Sequence, residues 1–75
     1  MKKFDFEALY KKEGYERRVG FAEYRVWVAE QELARARAIN AKTEKGLAKK
    51  EKEIAFWEND VKREKDFLAF LLANK

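Results

Sequence analysis

Every seventh residue from Val19 to Leu68 belongs to one column: Val19, Val26, Leu33, Asn40, Leu47, Ile54, Val61 and Leu68. All but Asn40 are apolar. A sustained repeat of seven is the signature of helices packed along a seam, because 3.5 residues per turn keeps the same side chains facing a neighbour. A second column runs beside it: Ala22, Ala29, Ala36, Thr43, Lys50, Trp57, Glu64 and Leu71. Its first half is small and its second half holds a bulky Trp. If the chain folds back on itself, the alanines face the larger residues of the returning helix. Leu33 then meets Trp57, Ala29 lies near Val61, and Ala22 near Leu68. Small-against-large pairing fills the seam and lets the helix axes approach closely.

The expected fold is all-α, a single domain over residues 1–75. It is a long antiparallel, coiled-coil-like helical hairpin with a short N-terminal helix, dimerising into a helical bundle. The chain has no Pro and three Gly, a composition that favours helix. Phe4, Phe6, Leu9 and Tyr10 fit one face of a short helix over about 4–13, with Asp5 as its N-cap and Gly14 as its stop. A long helix over about 15–45, a turn at about 43–46 marked by Gly46, and a second long helix over about 47–73 complete the reading. The rival is one continuous helix in a parallel coiled coil, with a buried Asn40 setting the register. In that pairing Lys50 meets Lys50, Glu64 meets Glu64, and alanine stacks on alanine for three heptads. The hairpin avoids both that repulsion and that weak packing. Within it, Asn40 is expected at the turn with its amide on backbone groups. Glu64 is expected to meet a cation across the hairpin, such as Arg25.

The residue inventory narrows the chemistry. The chain has no Cys and no His. It also lacks Ser, and Thr43 is its one side-chain alcohol besides the tyrosines. Disulfides, zinc sites, nucleophilic triads and His-based proton transfer are therefore excluded. Most carboxylates sit beside lysines or arginines at helix-surface spacing, which reads as a solvated face. Glu13–Arg17, Glu58–Lys62 and Lys62–Asp66 are such i, i+4 pairs. No enzyme, cofactor, metal or small-molecule ligand is expected. Met1–Asp5 lacks the apolar core of a signal peptide, and no run approaches membrane-spanning length. The expected location is cytoplasmic, without membrane contact.

What remains is binding, and two regions off the seam carry it. Phe21, Tyr24 and Val28 point away from the seam of the first long helix, with Trp27 on its flank. Phe56, Phe67 and Phe70 do the same on the second, and Leu72 extends them. In a hairpin these residues make the open end apolar on several sides, and such a patch calls for a cover. The short N-terminal segment, a second copy of the chain or a larger protein would each serve. The second region is basic: Arg35, Arg37, Lys42, Lys45, Lys49, Lys50 and Lys52 stand against Glu44 and Glu51 alone within residues 35–52. The net charge of +4 is concentrated there. Such a tip is solvated, or it attracts an acidic protein or the phosphates of a nucleic acid. No aromatic lies among these lysines and no nucleic-acid motif is present. The expected function is that of a small protein-interaction module, an adaptor or an inhibitor masking a larger protein. A nucleic-acid-binding hairpin and a purely structural oligomerisation element are the alternatives.

Overall fold

The computed structural model describes residues 5–74. Three helices follow one another: α1 over Phe6–Lys11, α2 over Gly14–Arg37 and α3 over Glu44–Ala73. The long pair forms the expected antiparallel hairpin. Phe4, which the sequence places with the first helix, lies outside the described residues.

The first helix is too short to persist alone, so its caps and its docking must hold it. Asp5 has an extended backbone, and its carboxylate accepts the Ala8 N–H at 3.1 Å. At the other end Arg17 reaches back from α2. Its Nε donates to the Lys12 carbonyl and its Nη2 to the Tyr10 carbonyl, both at 2.8 Å. The expected Glu13–Arg17 pair is thereby replaced by a cap on carbonyls that α1 cannot satisfy itself. Leu9 is buried over Gly20, where an added Cβ would lie 2.2 Å from Leu9 Cδ1. Gly14, at φ +58°, swings the chain from α1 into α2 in a conformation that only glycine adopts without strain.

The reversal comes earlier than Gly46 predicts. α2 ends at Arg37, where the Ala38 N–H closes onto the Ala34 carbonyl at 3.1 Å. Residues 38–43 make the connection, and α3 begins with Thr43 as N-cap, its Oγ1 accepting the Gly46 N–H at 3.0 Å. Gly46 therefore lies inside the first turn of α3. A Thr at the cap outweighs a glycine three residues on, because it satisfies a donor that the helix leaves open. The long helices consequently span 14–37 and 44–73 rather than about 15–45 and 47–73. Asn40 is exposed in the connection and makes no hydrogen bond through its amide among the described residues, contrary to expectation. Leu47 is 48% exposed despite its place in the heptad column. It sits beyond the last turn of α2, where no helix opposes it.

The whole is a plank measuring 49 × 25 × 12 Å, one helix thick. α2 lies in the middle, with α1 packed on one edge and α3 on the other. The seam is built on small residues: Ala22, Ala29 and Ala36 are at most 1% exposed, and Val26 is buried beside them. Val19, Leu33, Ile54, Trp57, Val61 and Leu68 are half-buried along it. Among the described residues no large side chain is fully enclosed. At the open end the Tyr15 hydroxyl donates to the Leu71 carbonyl at 2.9 Å, tying the start of α2 to the last turns of α3.

Candidate interaction surface

The aromatic set predicted to crown the open end divides between the two long helices. Two of its members on α2, Phe21 and Tyr24, meet α1. Phe6 meets Tyr24 edge-on with centroids 5.0 Å apart, and Tyr10 meets Phe21 edge-on at 5.9 Å. Tyr24 stacks on Trp27 at 6.1 Å, and all of Phe21, Tyr24, Trp27 and Val28 are half-buried. Nothing among the described residues covers the members on α3. Phe56, Phe67, Phe70 and Leu72 remain exposed, by 44% at Phe67 and by more than half at the others.

A one-layer plank has two broad faces, and here they differ. On one, two clefts open side by side between α2 and α3. The cleft nearer the open end, about 250 Å³, is floored by Phe21, Ala22, Phe67 and Leu71 and rimmed by Arg17, Arg18 and Arg25. The second, about 330 Å³, is lined by Tyr24, Arg25, Val28, Asp60, Arg63 and Glu64. Arg25 borders both, and its guanidinium carbon lies 5.9 Å from the centre of the Phe67 ring. At 100° per residue, Glu30 lies about 140° round α2 from Arg25, and Lys65 about 160° round α3 from Phe67. The opposite face thus carries two of the ion pairs that bridge the hairpin, Glu30 to Lys65 at 4.0 Å and Arg37 to Glu58 at 3.2 Å. The grooved face has ion pairs too, Arg25–Glu64 and Arg63–Asp60, but sets them beside an apolar floor.

Glu64 lies at the junction of seam and groove. Its side chain is only 8% exposed, and Oε1 accepts from Arg25 Nη2 at 2.9 Å, the cross-hairpin partner expected from the sequence. Its other oxygen, Oε2, is buried without a hydrogen-bond partner among the described residues. A carboxylate oxygen left so is destabilising by about 1–3 kcal/mol. Arg25 itself is 60% exposed and borders both clefts.

The basic tip is less uniform than its sequence. Arg35 is held by Glu32, whose hydrogen bond and charge raise the guanidinium pKa above its usual value. Arg37 is engaged by Glu58 across the hairpin. Lys42, Lys49 and Lys50 converge on a cleft of about 380 Å³ with Ile39, Asn40, Gly46 and Glu53. Lys45 and Lys52 stand exposed outside it. Arg18, Asp60 and Arg63 were not singled out from the sequence, and Arg17 only as the partner of Glu13; the four prove to frame the grooved face. Their signal was available in the heptad, since Arg18 and Arg25 are one repeat apart on the same side of α2. Among the described residues no group of carboxylates is arranged to hold a metal ion, and no helix is long and apolar enough to cross a membrane. Comparison with protein-family models, with curated proteins and with solved structures found no match for this chain.

Proposed function

We propose that this chain is a non-catalytic protein-interaction module that masks a surface of a larger protein, as an adaptor or an inhibitor, and that also associates with itself. The observation that carries the reading is the sidedness of the plank. Both broad faces carry ion pairs, but one of them also presents Phe67 and two clefts rimmed by arginine. Aromatic residues and arginine are the types that dominate interface energetics, and half-exposed Phe beside desolvated charge is their usual setting. The short helix α1 leaves this face open, because it is spent on the far edge of α2.

Capture from nuclease-treated source extract tests the reading when three baits are compared: the wild-type chain, Phe67→Asp, and a Lys42/Lys49/Lys50→Glu variant. A stoichiometric foreign protein held by the first and third baits and lost from the second is the expected result. Recovery of the bait alone, or a partner that survives Phe67→Asp, contradicts it. The second reading, nucleic-acid binding at the tip, rests on the convergence of Lys42, Lys49 and Lys50 on one cleft. It predicts binding that falls steeply with salt and disappears in the triple variant.

A further inference from the structure

We infer that the occupant of the grooved face, in the purified protein, is a second copy of the same chain, placed so that open end lies on open end. This deepens the binding reading by naming an occupant for the same face.

The first argument is area. The chain exposes 6112 Å². A folded monomer of 9.0 kDa typically exposes roughly 4,900 Å². The excess of roughly 1,200 Å² is larger than the ~800 Å² that each partner of a standard interface contributes. The missing interior points the same way, since the buried residues among those described are Leu9, Val26, Gly20, three alanines and one glutamate. Closing the grooved face with an equivalent plank supplies a core at Phe21, Val28 and Phe67 that the single chain lacks.

The second argument is charge, and it selects the orientation. Two planks stacked face to face by a two-fold axis, centred on the Arg25–Glu64 pair, have two simple arrangements. With the axis across the plank, open end lies on turn end, Arg25 faces Arg25 of the second copy, and Glu64 faces Glu64. With the axis along the plank, α2 of each copy lies on α3 of the other. Arg25 then faces the second copy's Glu64, and Phe21 faces its Phe67. This second arrangement offers a donor to Glu64 Oε2, the buried oxygen that lacks one, from a guanidinium that is 60% exposed. Neighbouring helices are antiparallel in either arrangement, as in an up-and-down four-helix bundle, so the charge pairing alone selects the second.

A nitroxide attached to Asn40→Cys tests both halves of the inference. Asn40 is exposed in the connection and the chain has no other Cys, so the label reports the turn end alone. Pulsed dipolar spectroscopy at about 100 µM chain should give one distance of roughly 15–30 Å, the helix spacing plus the label tethers. A distance near the 49 Å length of the plank overturns the orientation. Absence of any dipolar modulation overturns the second copy altogether and leaves the face to a different protein. Adding Phe67→Asp to the labelled chain should weaken association about 30-fold or more and abolish the signal with helicity unchanged. A signal that persists in that variant places the interface elsewhere. Foreign-protein capture can succeed or fail independently of each of these outcomes.

Discussion

The turn end and the open end of this hairpin share one heptad frame and are otherwise opposites. Near the turn, Ala36 is completely enclosed, and Arg37 reaches across to Glu58 in open solvent. Towards the open end, Ala22 is just as buried, yet it floors a cleft with Phe21 and Phe67. The ion pairs that finish the surface near the turn give way there to half-exposed aromatics and a carboxylate with one unsatisfied oxygen. The seam therefore builds the fold at both ends, and what lies off the seam decides what each end does. The turn end exposes Leu47 and Phe56, and the open end exposes Phe67, Phe70 and Leu72 beside a cleft that awaits a cover.

That contrast can be broken at the seam first. Ala36→Leu should cost about 3 kcal/mol, because a tightly closed seam has no space for added methyl groups. The same change at Ala22 should cost less than about 1 kcal/mol, since the cleft beside it can accept the side chain. Urea denaturation of the two variants measures the difference, and equal costs would mean that the ends pack alike. Next in size is the charge at the groove. Arg25→Leu should destabilise the fold by about 2 kcal/mol by stripping a buried carboxylate of its partner. Adding Glu64→Leu should restore most of that loss, as replacing a buried pair by apolar residues commonly does. The smallest effect is expected at the turn end. Arg37→Ala removes a solvent-exposed ion pair and should change stability by less than about 0.5 kcal/mol.

Much of this was legible in the sequence, for identifiable reasons. The alanine column and its burial follow from a period of seven. The Arg25–Glu64 contact follows from counting residues back from the turn, and it survived an error in placing that turn. The error itself came from reading Gly46 as punctuation, when Thr43 supplied the stronger signal through its side-chain oxygen. Leu47 fell out of the core for the same reason, because α2 stops about eight residues short of its expected end. The division of the aromatics was not legible. Which of them α1 would cover depended on Leu9 seating over Gly20 and on Arg17 capping α1, contacts between segments that no periodicity links. Nor does a heptad show that the sheet-like arrangement of three helices leaves one broad face grooved between α2 and α3.

The most direct test of the central claim, that the open end's grooved face is an interface separate from the seam that folds the chain, is sedimentation equilibrium from about 1 to 100 µM, with circular dichroism on the same samples. The wild-type chain should approach twice its 9.0 kDa mass, and Phe67→Asp should remain at 9.0 kDa with the same helicity. A wild-type chain that stays monomeric throughout, or a Phe67→Asp variant that loses its helices along with its mass, would contradict the account.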